Sequence, residues 1–397
     1  MIEPKDSDRK MDALLARIGK GSENKHYLPS IMKALEATFG ADLHIGNGRI
    51  YMEDGSTFVL VDRSGSVRLG RRIPTDLEAV QQVLTHGSYI YDDPDVTAFK
   101  GAGDAHAVPA AFAVVPGLNR RWIFAYDLQN GWIHEEVQLC MNAVRAALNY
   151  RLSLENIKSG LEQAAEIQRS LLPTRAPQVE GFEIAERSQP AEIVGGDLFD
   201  YLHFGEEILG VSIGDASGHG LPAALLVRDV VTGLRMGMEE EMKMVYTFRK
   251  LNRVIHRSML SSRFVSLFYS EVERNGNLLY VNAGHPPPLL VRGTDVQELT
   301  RTGMILGALS ELPLRRAYAY MDPGAVLVLY TDGIFERRNG KKEQFEIDRL
   351  KALVVQHQEK PPCALVDLIF DEVFAFGEEK AWEDDATVVV IKRAPSP

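Results

Sequence analysis

Four acidic segments in the second half of the chain share one local design, an aspartate at the end of an apolar run beside glycine or another turn residue. Asp197 follows Val-Gly-Gly and precedes Leu-Phe-Asp, and Asp215 ends GVSIG and opens the turn Ala-Ser-Gly-His-Gly. Asp332 ends AVLVLYT before Gly333, and Asp384 with Asp385 precedes ATVVVI. A single carboxylate in such a place serves nearby backbone N–H groups as a turn or cap residue. Four of one kind at strand ends imply more. Strand ends of one layered structure converge, and converging carboxylates repel each other unless a cation neutralises them. Oxygen donors with no Cys or His cluster suit a hard ion, Mg²⁺ or Mn²⁺, rather than zinc. Two such ions bind a bridging water, lower its pKa and clamp phosphoryl oxygens. The spacing points to metal-dependent phosphoryl chemistry without naming a substrate.

The elements that must position these residues read, from Gly181 to Lys392, as strands in hairpins with helices in pairs. The strands are FEIAERS, ILGVSIGDA, FVSLFYSEVE, NLLYVNAG, PLLVRG, AVLVLYTDG and TVVVIKR. Helical stretches are LPAALLVRDVVTGLRMGM with MVYTFRKLNRVIHRSM, and RLKALVVQH with PCALVDLIFDEVFAF. This pattern predicts a two-sheet sandwich with helices outside. On the helix after GDASGHG, Leu221, Ala224, Leu225, Val227, Val230, Val231 and Leu234 form an apolar face for packing beside the turn of Asp215. Pro286, Pro287 and Pro288 form a rigid entry to a strand.

Upstream, Leu28, Ile31, Met32, Leu35 and Phe39 mark a helix that Gly40 stops. Short alternating runs, a helix over 75–85, the run AVPAAFAVV and the strand RRWIFAYDL follow. They predict a small α+β sensor domain over 27–150, after a charged arm over 1–26 with a short helical pattern at Met11, Leu14, Leu15 and Ile18. From Trp132 to Leu172 there is no proline and a single glycine, Gly160. Val137, Met141, Val144, Leu148, Leu152, Ile157, Leu161, Ala165, Gln168 and Leu172 recur at close to heptad spacing along it. The stretch 132–175 is thus a long linker helix, ended by Pro173 and Pro177, that either pairs with itself in a homodimer or packs on its own domains.

Composition narrows the class. The chain has 397 residues, 45% of them hydrophobic and 25% charged, which is material for two or three ordinary domains with real cores. A net charge of −11 without a basic stripe argues against nucleic acid and against an anionic membrane surface. Cys140 and Cys363 stand far apart, so neither a disulfide framework nor a zinc ribbon is expected. The charged N-terminus lacks the apolar core of a signal peptide, and no apolar run spans a membrane. A soluble, cytoplasmic protein is expected.

At this point the residues carry a resemblance. VGGDLFD (194–200), GDASGHG (214–220), NAGHPPPLL (282–290), GMILGAL (303–309), YTDGIFERRN (330–339) and EDDATVVVIK (383–392) occur in that order. They resemble the metal-dependent Ser/Thr protein phosphatases (PPM family), in their bacterial SpoIIE-like branch, over about 176–394. The resemblance implies an α+β chain whose C-terminal part is a four-layer αββα sandwich around two Mn²⁺ or Mg²⁺ ions. Asp197 and Asp215 would hold one ion with the carbonyl of Ala216. Asp215 would bridge to a second, held by Asp332 and the Asp384/Asp385 pair, with Asp384 the favoured direct ligand and Asp385 its neighbour. Water activated there would attack phosphorus without a phospho-enzyme. All the acidic positions are filled, and nothing suggests a dead pseudo-phosphatase.

The arginine that eukaryotic relatives use to hold phosphate has only Arg187 as a counterpart. His219 and His285 are each either a turn residue with its ring on a carbonyl or an acid for the leaving serine oxygen. In this branch the helix pair after GDASGHG is also where activation is thought to act, by moving the metal loop. Residues 27–150 look like a GAF domain, with a PAS-like sensor as the rival and the ligand unnamed. The usual partner implied is a phosphorylated STAS-domain antagonist of an anti-sigma factor. Two other readings stay open: a two-metal hydrolase of small phosphoesters or nucleotides, and a metal-gated docking module without turnover.

Overall fold

A computed structural model describes residues 4–19, 27–61, 67–93, 98–100, 107–115, 121–205, 207–239, 244–257 and 263–395. The chain divides into two compact units, 1–159 and 160–397. In the first, α1 (Pro4–Gly19) and α2 (Tyr27–Phe39) precede β1 (Ile45–Asp54), β2 (Thr57–Val61) and β3 (Val67–Pro74). Then come α3 (Glu78–His86), β4 (Ser88–Ile90), β5 (Val108–Val114), β6 (Trp122–Leu128) and α4 (His134–Leu171). The six strands form one antiparallel sheet in the order β3-β2-β1-β6-β5-β4. One cluster joins Leu14 and Ile18 of α1, Ile31 and Leu35 of α2, Phe112 and Phe124 of the sheet, and Val137, Met141, Val144 and Leu148 of α4. A second gathers Val80 and Val83 of α3 with Tyr51, Phe58 and Phe99. The 1–26 arm lies partly outside the described residues.

These contacts correct the reading of the α4 seam. Val137, Met141, Val144 and Leu148 are buried in the core of their own unit, and Ala165 and Gln168 are buried in the second. The large apolar residues that α4 leaves exposed are Leu139, Tyr150, Leu154 and Ile167, outside the seam, and Ile157, within it. Helical period alone did not separate the two faces, because both carry apolar residues.

The second unit contains β7 (Phe182–Gln189), β8 (Asp197–Phe204), β9 (Ile208–Ala216), α5 (Leu221–Glu239) and α6 (Met244–Arg257). It continues through β10 (Val265–Glu273), β11 (Asn277–Ala283), β12 (Leu289–Arg292), β13 (Asp295–Glu298), β14 (Ala317–Tyr320) and β15 (Val326–Tyr330). The short α7 (Asp332–Phe335), α8 (Ile347–His357), α9 (Pro362–Phe376) and β16 (Ala386–Arg393) complete it. Two five-stranded antiparallel sheets result, β14-β11-β10-β9-β8 and β13-β12-β15-β16-β7.

Strand alternation sorts the side chains into layers. Phe199, Val211, Ile213 and Phe268 of the first sheet meet Leu327, Leu329, Val389 and Ile391 of the second. On the outer faces, Leu198, Leu267 and Tyr269 pack under Val230, Leu234 and Phe248 of α5 and α6. Val326, Val328 and Val388 pack under Leu350 of α8 and Ile369 and Phe370 of α9. The order is helices, sheet, sheet, helices, the sandwich expected from the sequence.

Candidate active site

The same alternation aims the acidic residues into the gap between the sheets. Asp197 of β8 pairs directly with Asp215 of β9, and Asp215 pairs with Ser266 of β10, so the three side chains share one face. That face is the one carrying Phe199, Ile213 and Phe268, which looks toward the second sheet. From the opposite sheet, Thr331 follows β15, and Thr387 of β16 stands in register with Ser188 of β7. Thr331 and Thr387 each donate a hydroxyl hydrogen bond to Asp197 Oδ2, at 2.8 and 2.6 Å. Thr331 Oγ1 in turn accepts the Thr387 N–H at 2.9 Å, and the Ser188 hydroxyl lies 2.8 Å from that of Thr387. One carboxylate of the first sheet is thereby tied to both central strands of the second. Asp197 Oδ1 is buried without a hydrogen-bond partner.

Two glycines are dictated by close approach. A Cβ on Gly196 would lie 2.7 Å from the Ala216 carbonyl oxygen and 3.3 Å from Asp215 Oδ1. A Cβ on Gly333 would lie 2.1 Å from the Asp385 carbonyl oxygen. The Gly-Gly-Asp and Asp-Gly spellings are thus packing requirements of the site as well as turn signals. Asp385 accepts the Ala191 N–H at 2.8 Å and the Gly196 N–H at 2.5 Å, so both its oxygens are spent on the loop 191–196. Asp384 accepts only its neighbour's N–H, at 2.9 Å, among the described residues. Asp384 is therefore the freer ligand of the pair.

Asp215, Asp384 and Asp385 border a cavity of about 420 Å³ with Glu192, Gly218 and His219. Burial, then the charges of Asp332, Asp384 and Asp385, push the Asp215 carboxyl up to about 7. Burial, then Asp384 and Glu336, push Asp332 up to about 6. Asp197 is raised by burial and by Asp215 against its threonine hydrogen bonds, and Asp384 is raised chiefly by burial. Such mutual destabilisation is the electrostatic signature of groups awaiting a counter-charge. Among the described residues, no three Asp, Glu, His or Cys side chains stand close enough to grip one ion as they are placed. The donor set nevertheless fits a hard divalent cation: it is all carboxylate and carbonyl, it is self-repelling, and Asp197 keeps an unpartnered oxygen.

The remaining candidates divide. His219 borders the cavity, is largely exposed, and lies 3.0 Å from Glu192. His285 is fully buried, with Nδ1 2.9 Å from the Ser266 hydroxyl, and burial pushes its imidazole down to about 3. It is a neutral structural residue, unsuited to donate a proton near neutrality. Arg187 is a correction: it lies next to Ser188 on β7 and so points to the opposite face. There it stacks on the Phe370 ring at 4.4 Å and pairs with Asp367 at 3.6 Å, remote from the gap between the sheets. Reasoning from sequence missed Thr331, Thr387 and Ser188, whose only signal was a hydroxyl residue at the inward position of otherwise apolar strands.

Known proteins are similar to the second unit. Residues 205–394 match the family model for stage II sporulation protein E (SpoIIE). Phosphoserine phosphatase RsbU of Bacillus subtilis is 28% identical over 244 residues, 60% of this chain and 71% of RsbU. Phosphoserine phosphatase RsbP of the same organism is 28% identical over 190 residues, and the match spans under half of that protein (46%). The SiaA-PP2C domain of Pseudomonas aeruginosa superposes with a TM-score of 0.54 at 22% identity, over 60% of this chain and 98% of that one. The RsbU and RsbW domains of a Mycobacterium tuberculosis protein give 0.50 at 27% identity, over 57% and 64%. The C-terminal part of this chain is a SpoIIE-type phosphatase domain of the PP2C fold, in the serine/threonine phosphatase class.

Proposed function

We propose that this chain is a metal-dependent phosphoprotein phosphatase acting on phosphoserine or phosphothreonine in a signalling partner. The observation that carries the reading is the set Asp197, Asp215, Asp332 and Asp384, four carboxyls raised first by burial, the first three also by others of the set and Asp384 by Asp385. Asp197 and Asp215, with the Ala216 carbonyl, are assigned to one Mn²⁺ or Mg²⁺ ion, and Asp215, Asp332 and Asp384 to a second. When bound, such ions supply the positive charge that lowers the pKa of water and offsets the charge of phosphoryl oxygens. Thr331 and Thr387 fix the direction of Asp197, and Asp385 fixes the loop 191–196. His219, at the cavity, is assigned as the acid for the leaving serine oxygen. The proposed transfer is of the phosphoryl group directly to water, without a phospho-enzyme.

The likeness to the phosphoserine phosphatases RsbU and RsbP supports a phosphoserine protein as the substrate; the proposed one is that implied by the resemblance, a small phosphorylated STAS-domain antagonist of an anti-sigma factor. The N-terminal unit, with its helix-flanked six-stranded sheet, is assigned as a GAF-like sensor of an unidentified signal. A homodimer is assigned to the exposed stripe Leu139, Tyr150, Leu154 and Ile157 of α4. Among the described residues, no helix is long and apolar enough to cross a membrane. The test compares Mn²⁺-dependent phosphate release from a phosphorylated STAS-domain protein, an unrelated phosphoserine protein, ATP and an aryl phosphate. Preference for the first supports the proposal; turnover of ATP alone overturns it.

A further inference from the structure

The last turns of α4 reach the site through one side chain. Gln168 is only 8% exposed, and its Nε2 donates to the Gly195 carbonyl at 2.6 Å while its Oε1 accepts the Gly195 N–H at 3.2 Å. An amide thus pairs with a peptide group as a neighbouring strand would, satisfying both polar partners. The next N–H, of Gly196, goes to Asp385, and Asp197 follows immediately. A Cβ on Gly195 would lie 2.8 Å from Asp385 Oδ2, so the segment has no slack on that side. On the other side lies a cavity of about 400 Å³ bordered by Gln168, Gly195, Asp197 and Asp385. One turn before Gln168, Ala165 packs with Val194 and Ala224, which fixes where the amide starts from.

From this clamp between a wall and a void we infer that Gln168 is a positioning residue for the reaction. It holds the peptide at Gly195, and through it sets where Asp197 stands against Asp215. Nothing in the acidic motifs names it, because it is far from them in sequence and lies on the helix that reads as a linker. The inference rests on the phosphatase reading above, and its role is directional rather than chemical. A residue that merely filled space would be replaced by any side chain of similar size, whereas this one must both donate and accept.

Gln168→Glu in the full chain tests that requirement. The carboxylate still accepts the Gly195 N–H but offers no donor to the Gly195 carbonyl; the protonated acid offers both again. At pH 8, turnover of a phosphoserine protein should fall about tenfold or more while the near-UV circular dichroism is unchanged. As pH is lowered to about 5.5, the ratio of variant to parent activity should climb back, since a carboxyl facing a carbonyl takes up its proton early. Glu162, Arg169, Asp197 and Asp385 are the charged groups that face residue 168 across the same cavity, in parent and variant alike. Gln168→Met, which can neither donate nor accept, should stay low at every pH. Calorimetric titration with Mn²⁺ at pH 8 should show weaker binding to Gln168→Glu than to the parent. A ratio flat in pH together with unchanged Mn²⁺ affinity would overturn the inference. Should the parent itself release no phosphate, the phosphatase reading fails separately, and the Mn²⁺ titration still decides the role of Gln168.

Discussion

Replacing Asp215 by Asn should abolish turnover and yet, without divalent ions, make the protein more stable. Asp215 stands in register between Asp197 and Ser266. Burial, then the charges of Asp332, Asp384 and Asp385, raise its carboxyl from the ordinary 3.8 to about 7. A folded-state value above the unfolded one means that folding takes up a proton. The metal-free protein therefore loses stability as pH rises through the window from about 4 to about 7. At about 1.4 kcal/mol per tenfold change in proton affinity, the cost above that window is on the order of 4 kcal/mol. Asp332 and Asp384 share this repulsion and relax with it, so about half, roughly 2 kcal/mol, is the expected gain from an uncharged isostere. For a unit of this size that raises the unfolding midpoint by about 4–8 °C. The assay is thermal unfolding of the full chain in EDTA at pH 8 and pH 5.5, followed by near-UV circular dichroism. The gain should be full at pH 8, about half as large at pH 5.5, and gone only below about pH 4, where the folded and unfolded states both carry the proton. Adding Mn²⁺ should raise the parent's midpoint well above the variant's. A variant less stable than its parent in EDTA at pH 8, or an equal gain at both pH values, refutes the electrostatic reasoning.

Three further substitutions probe separate parts of the site. Thr387→Val keeps shape but removes the 2.6 Å hydrogen bond to Asp197, and turnover should fall about 10- to 100-fold, from about 1.5–3 kcal/mol for a bond to a charged acceptor. Full activity would show that Asp197 needs no help from the second sheet. Arg187→Ala should leave turnover within about twofold and cost about 1 kcal/mol of stability, since it loses the stack on Phe370 and an exposed ion pair with Asp367. A large rise in KM instead would return Arg187 to the substrate. His219→Ala should slow hydrolysis of phosphoserine by about tenfold or more but spare an aryl phosphate, whose leaving group needs no proton. Equal loss on both substrates would make His219 a structural turn residue.

The aspartates proposed for the site stand out in the sequence because each lies at or beside a strand terminus, next to an apolar run and a glycine or other turn residue. The sandwich was legible for the same reason. What escaped lies in relations between strands. Arg187 and Ser188 are adjacent in sequence, yet the pairing of Ser188 with Thr387 sends one inward and the other to α9. No pattern within β7 tells which is which until its partner is known. The α4 seam failed similarly: apolar residues occupy more than one face, and only packing on the first unit's sheet reveals which face is already covered. Gln168 was placed in the seam by its spacing, but its partner is a peptide group rather than another helix. Thr331 and Thr387 read as ordinary β-branched strand residues, and their hydroxyls acquire meaning only once Asp197 arrives from the other sheet.

The central claim is that the aspartates hold divalent ions which hydrolyse a phosphoserine bond. Phosphate release from a phosphoserine protein, measured with Mn²⁺, with EDTA and with Asp332→Asn, tests it most directly. The account predicts release with Mn²⁺ that EDTA removes and that Asp332→Asn lacks, while the variant keeps its fold. Release that persists in EDTA, or a folded Asp332→Asn protein as active as its parent, would contradict it.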